Sequence, residues 1–278
     1  AADVQQTLTI NYYNLFADSI PGMQFWFDAN NVNADTEEDV INTSAFHTWN
    51  DLFGTKNAVQ GDSAKMPIYK ANGLNGMATI EFDPDDTLDL PSTSGVKMIF
   101  AVFKQNSGQS AETKLLGGDL VTTTSGAKVG LKRTGGGIID SGVSSHVFNV
   151  VALTANPGAY SIHVNGSDQG QGVEAQALSA LNQVGGNMGG EIAEVVAYDR
   201  VLPSLSREKI EAYLAHKWGL ASLLPVDHKY KTSQPTFGGA QEIVFQPIPD
   251  KTPESAPFTL SAESSSGLPV TFESNNTA

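Results

Sequence analysis

Residues 189–220, GGEIAEVVAYDRVLPSLSREKIEAYLAHKWGL, constrain the fold of this chain more than any other stretch. Glu191 to Tyr198 is rich in Val, Ile and Ala, the composition of a strand. Alternation breaks at Ala193 and at Val195–Val196, which predicts cover on both faces. Asp199–Arg200 start a short link. Ser206 is the expected N-cap of a helix over 206–218, with Glu208 in its first turn beside the positive end of the helix. Ile210, Tyr213, Leu214 and Trp218 fall at spacings that make one apolar stripe. Gly219 can end the helix in a left-handed conformation. The stretch predicts a buried strand feeding a helix that packs its stripe on a sheet. Nothing in it reads as a reaction centre.

The rest of the chain reads as strand and turn. Met23 to Phe27 carries three consecutive aromatics, which suits a strand covered on both sides, with Trp26 in the core. Ala78 to Phe82, Val96 to Phe103, Leu115 to Leu120 and Ala127 to Leu131 are further strands. Val147 to Leu153 and Tyr160 to Val164 flank Asn156-Pro157-Gly158 and read as a hairpin. Asn72–Gly73, Asn75–Gly76 and Asn165–Gly166 are turn pairs. Short strands at intervals of about ten residues are the pattern of an all-β sandwich. Ala1 to Ser19 is ambiguous between an edge strand and a lead-in. Thr232 to Gly239 has the composition of a linker. From Glu242 the pattern restarts: Ile243 and Phe245 alternate, and Phe258–Ala262 and Val270–Phe272 are the next strands. So short a piece cannot bury a sandwich core alone, so the intact protein is expected to continue.

Charge and composition exclude several partners. The 278 residues carry a formal net charge of −14, which disfavours nucleic acid backbones and anionic membranes. Cysteine is absent, so disulfides and thiol chemistry are excluded. No run approaches the ~18 apolar residues of a membrane span, and the first residues do not show a basic stretch followed by an apolar one, so an export signal is expected to lie outside this sequence.

Two segments offer ligands. Asp28 to Asp39, DANNVNADTEED, is dense in hard oxygen donors. Asp28, Asn30, Asn33 and Asp35 would form a calcium site if the loop curls, although the spacing is not that of a helix-loop-helix site. The same residues also suit a solvated loop of Asx-turns. Trp49, with Asp51 beside it, is the candidate ligand-binding pair. A ring covers the apolar face of a sugar and a carboxylate takes its hydroxyls. Trp49 suits a core anchor for the early loop better still. Asp83, Asp85, Asp86 and Asp89 form a second acidic cluster, explained by an ion or by a polar turn.

Catalytic patterns are missing. A glycan hydrolase needs two carboxylates facing one cleft, about 5–9.5 Å apart. Glu191 and Glu194 are three residues apart and point to opposite faces of a regular strand. No nucleophile elbow is present. The histidines at 47, 146, 163, 216 and 228 show no metal-ligand spacing. No residue is assigned a catalytic role.

The closing strand and helix resemble those of concanavalin A-like, laminin G-like domains in large bacterial surface and secreted proteins. Gly22-Met23-Gln24-Phe25-Trp26-Phe27-Asp28-Ala29 resembles the opening strand of that family, and Trp49-Asn50-Asp51-Leu52-Phe53-Gly54 its early loop. Ile80-Glu81-Phe82-Asp83 through Leu88-Asp89-Leu90 and Tyr160-Ser161-Ile162-His163-Val164-Asn165-Gly166 follow in the same order. Glu242 onward resembles the start of a bacterial immunoglobulin-like repeat. The resemblance implies an all-β jelly-roll sandwich over residues 1–231, with its core at 20–220 and one C-terminal surface helix. A linker at 232–241 and a partial immunoglobulin-like repeat at 242–278 follow. It further implies an extracellular, non-catalytic, lectin-like module that binds a glycan or a peptide, in an adhesin or secreted multidomain protein. A structural spacer and an accessory module of a glycan-degrading enzyme are the alternatives, since this scaffold hosts all three.

Overall fold

The computed structural model describes residues 20–34, 45–108, 113–117, 127–132, 137–172, 178–237, 243–245 and 262–264. The expected lead-in at 1–19, Asp35, and the strand at Val270–Phe272 lie outside them. The chain divides into two units, Gly22–Pro235 and a second made of Ala1–Pro21 with Thr236–Ala278.

In chain order the large unit holds β1 (Met23–Asp28), β2 (Thr48–Trp49), β3 (Ala58–Val59), β4 (Ile68–Leu74), β5 (Met77–Phe82), β6 (Thr87–Thr93) and β7 (Met98–Gln105). There follow β8 (Lys128–Lys132), β9 (Ile138–Ser144), β10 (Asn149–Asn156), β11 (Ala159–Val164), β12 (Ser167–Gly172), β13 (Leu181–Gly185), β14 (Gly190–Tyr198) and helix α1 (Ser204–Lys217). Among the described residues it is an all-β unit of three sheets with one α-helix at its C-terminal end. The largest sheet has eight strands in the order β12-β11-β10-β7-β14-β5-β4, with β1 also pairing β14. The others are β13-β6-β3-β2 and the pair β8-β9. In the small unit β15 (Ile243–Phe245), on the expected residues, pairs antiparallel with β16 (Ala262–Ser264).

The closing strand is the centre of the large sheet. Every residue of β14 is buried. One edge pairs with β7 along its length. The other edge is shared: Gly190–Ile192 pair with β5, and Glu194–Tyr198 with β1. The three aromatics of β1 show the two-sided cover. Phe27 meets Trp49 of the four-stranded sheet, ring centroids 5.5 Å apart, while Trp26 meets Tyr213 of α1 at 6.4 Å. Two sheets thus stack as a sandwich, and the helix covers the outer face of the larger one.

The helix begins two residues earlier than Ser206. Pro203 is its N-cap and no side chain caps it, since proline carries no side-chain acceptor; its fixed φ leads the chain into the first turn. The buried stripe is Ile210, Leu214 and Trp218, joined by Glu211 and Ala215; Tyr213 is half-buried. At the far end Gly219 adopts φ +69°, and the Leu220 N–H reaches back to Ala215 O at 2.7 Å. Asn75–Gly76 and Asn165–Gly166 turn between strands as expected. Asn72–Gly73 does not: both lie within β4. A Cβ on Gly73 would stand 1.7 Å from Thr79 Oγ1, so glycine is there for close approach, not for a turn. The cluster at 83–89 is a polar turn, with Asp86 Oδ2 accepting from the Asp83 N–H at 2.7 Å.

Candidate functional site

Of the residues singled out in the sequence, Asp28, Trp49 and Asp51 converge on the interior, while Asn30 is half-buried and Asn33 exposed. All three tryptophans are fully buried. Buried indoles need acceptors for their N–H groups, and two acidic residues supply them. Trp26 and Trp218 donate to the two oxygens of Glu194, at 2.7 and 2.6 Å, and Trp49 donates to the backbone oxygen of Asp28 at 3.1 Å. Lys217 closes the network, with Nζ 2.5 Å from Asp28 Oδ2 and 2.6 Å from Glu194 Oε2. Burial pushes the Glu194 carboxyl up to about 7; Lys217 opposes the rise and Asp28 adds to it.

Trp49 therefore takes the anchoring role, wedged against Phe27 and Phe46 with no face open to a ligand. Asp51 is buried beside it and staples the early loop. Its Oδ1 accepts from the N–H groups of Trp26 and Phe53, and its Oδ2 from that of Lys56. The bond from Trp26 supplies a partner at the edge of β1 away from β14, and the other two hold the loop. The oxygen-rich loop is likewise engaged. Asp28 Oδ1 accepts from Asn30 N–H at 2.9 Å, and Asn30 Oδ1 from Ala78 N–H at 2.8 Å. Asn33 gives its backbone oxygen to Asn50. Calcium would have to displace the Lys217 ammonium from Asp28. Among the described residues no group of three or more His, Asp or Glu is placed to hold a metal.

The carboxylates of β14 depart from the regular-strand expectation. Register against β7 slips between Ile192 and Glu194, which leaves Ala193 as an extra residue. Glu191 sits opposite Lys104 and Glu194 opposite Val102, so the bulge brings both to one face. They serve separate networks. Glu191 pairs with Lys70 at 2.8 Å and Lys104 at 3.0 Å, and takes the Thr79 hydroxyl at 2.7 Å. Burial resists its ionisation, but those three partners outweigh it and hold the carboxyl below its usual range.

Open space lies elsewhere on the helix-covered face. A cavity of about 560 Å³ stands beside the first turns of α1, over the far end of the large sheet. Register builds its floor. Met98, Thr154, Ser161 and Gln171 form one row across β7, β10, β11 and β12. His163 and Asp168 pair in the neighbouring row, and Arg207 descends from the helix. Met98, Val201 and Leu202 give apolar lining. Desolvation lowers the pKa of His163, with Arg207 adding to the effect and Asp168 opposing it. Its Nδ1 is buried without a hydrogen-bond partner among the described residues. Asp168 is held in its charged form, first by the Gln171 amide. Arg207 Nη1 binds Glu211 Oε2 at 2.7 Å. Burial drives the Glu211 carboxyl up to about 7, against the pull of that arginine. The cavity thus offers hydroxyl, amide, guanidinium and carboxylate groups beside the apolar surface of Met98, Val201 and Leu202. Alternation in Tyr160–Val164 marks Ser161 and His163 as one face; that β12 and Arg207 join them needed the strand order, which spacing does not give.

No protein-family model matches the sequence, and no curated protein sequence does. Solved structures do. A sialidase from Trypanosoma rangeli aligns at 13% identity and TM-score 0.45, over 71% of this chain and 33% of that one. Domain 4 of an extracellular arabinanase from Geobacillus stearothermophilus, solved with arabinotriose, aligns at 14% and 0.46, over 66% and 96%. The CBM40 of a Ruminococcus gnavus sialidase aligns at 19% and 0.31, over 39% and 78%. The chain spans about a third of the length of the trypanosomal sialidases it matches. Among the described residues no helix is long and apolar enough to cross a membrane.

Proposed function

We propose that the large unit is a concanavalin A-like jelly-roll module that binds a saccharide outside the cell without reacting with it, as an accessory part of a glycan-processing protein. The cavity beside α1 carries the reading. Its volume suits one or two sugar units, within the few hundred cubic ångströms typical of small-ligand sites. Planar and hydroxyl groups from β10, β11, β12 and α1 match a dense set of sugar hydroxyls, while Met98, Val201 and Leu202 cover carbon-bound hydrogens. The absence of chemistry is supported by the state of the buried acids: Glu191 and Glu194 are each tied to lysine, and neither lines the cavity.

Titration calorimetry against a panel of oligosaccharides tests this. Arabinotriose, bound by the arabinanase domain, and sialic acid, bound by the trypanosomal sialidase, belong in the panel. Ser161→Ala and Gln171→Ala should each weaken any hit about tenfold, the worth of a lost hydrogen bond to a ligand. Binding untouched by both substitutions removes the cavity from the account. Release of reducing sugar from any panel member restores the enzyme.

A further inference from the structure

Lys217 reaches from the last turn of α1 to two carboxylates that are fully buried, while its own side chain is 14% exposed. The rings of Tyr213 and Trp218 lie 5.6 and 5.2 Å from Nζ. One ammonium facing two carboxylates leaves an excess negative charge, so charge balance keeps a proton on the acid pair. The two acids are held differently. Glu194 is fixed by an indole N–H on each oxygen. Asp28 takes the Asn30 N–H on Oδ1 and turns Oδ2 to the lysine.

We propose that Lys217 and Asp28 are a self-modification site, joined by an amide bond between Nζ and Cγ with Glu194 as proton carrier. A proton passes from the lysine ammonium to the buried Asp28 carboxylate, leaving a neutral amine beside a neutral acid and no buried charge on the aspartate. The Nζ lone pair attacks Cγ, and the Asn30 N–H steadies the charge that develops on Oδ1. Glu194 delivers its proton to Oδ2 and takes one from nitrogen. The Cγ–Oδ2 bond breaks and water leaves. One amine and one carboxylic acid give one amide and one water; Glu194 ends as it began, and no cofactor or oxidant takes part. Fixed neighbours supply the effective concentration that free lysine and aspartate lack. The bond ties the first strand of the unit to its closing helix, 189 residues apart in sequence. Such a tie restricts the unfolded chain as a disulfide does, in a protein without cysteine.

Intact-mass spectrometry of the purified full chain decides it. The wild type should be one water lighter than its sequence, and digestion should yield one branched peptide holding both Asp28 and Lys217. Lys217→Arg, Asp28→Ala and Glu194→Gln should each have their full sequence mass. Dehydration that persists in Lys217→Arg would place it elsewhere and overturn the proposal. So would a wild type of full sequence mass in which trypsin cleaves after Lys217.

Discussion

Glu211 shows how one buried acid leaves a mark on the whole protein's response to pH. It sits on the buried face of α1 with Oε1 buried and unpartnered among the described residues, and only Arg207 offsets its desolvation. Its folded pKa of about 7 stands above the ordinary glutamate value of 4.5. A raised acid binds its proton more tightly when folded, so its contribution is full below the unfolded value and is lost as pH rises through about 7. The loss is on the order of 3 kcal/mol, since each tenfold change in proton affinity is worth about 1.4 kcal/mol. Denaturant melts of Glu211→Gln should therefore show a smaller fall between pH 5 and pH 8 than the wild type. An identical fall in both would mean that Glu211 titrates as an ordinary surface acid. Gly73 makes a second residue-scale case. Gly73→Ala should cost roughly 1–3 kcal/mol, the usual cost of overpacking, because its Cβ meets Thr79. A neutral effect in the same melts would show that β4 yields there.

The strand–helix element at 189–220 was legible because its composition and spacing obey one period each. Uniform Val, Ile and Ala marked a strand covered twice, and the stripe at Ile210, Leu214 and Trp218 marked the buried helix face. The helix start was misplaced because Ser206 is a good capping residue, while Pro203 starts the helix by geometry alone. The bulge at Ala193 was hidden for a similar reason: a period of two assumes regular pairing, and one extra residue reverses the face of everything after it. Asn72–Gly73 misled because a glycine required by a neighbouring side chain looks in sequence like a glycine required by a turn. Trp218→Ala should destabilise the large unit by roughly 3–5 kcal/mol, the range for truncating a buried tryptophan. A loss below about 1 kcal/mol would contradict the burial of the seam.

At the scale of the whole molecule, the three tryptophans and the acids around them make a closed interior, and the open polar site lies away from it. Sequence reading named Trp49 and Asp51 as the candidate ligand groups while ranking a core anchor ahead for Trp49, because aromatic and acidic residues serve both roles, and only burial separates them. The cavity residues come from four strands and a helix whose adjacency is set by topology, so no local pattern could gather them. The measurement that most directly tests the central claim is backbone amide NMR of the large unit during titration with a saccharide that binds it. Shifts should concentrate at Ser161, His163, Gln171 and Arg207, with none at Trp49 and with the sugar recovered unchanged. Shifts confined to the loop of Asp51, or a cleaved sugar, would contradict the account.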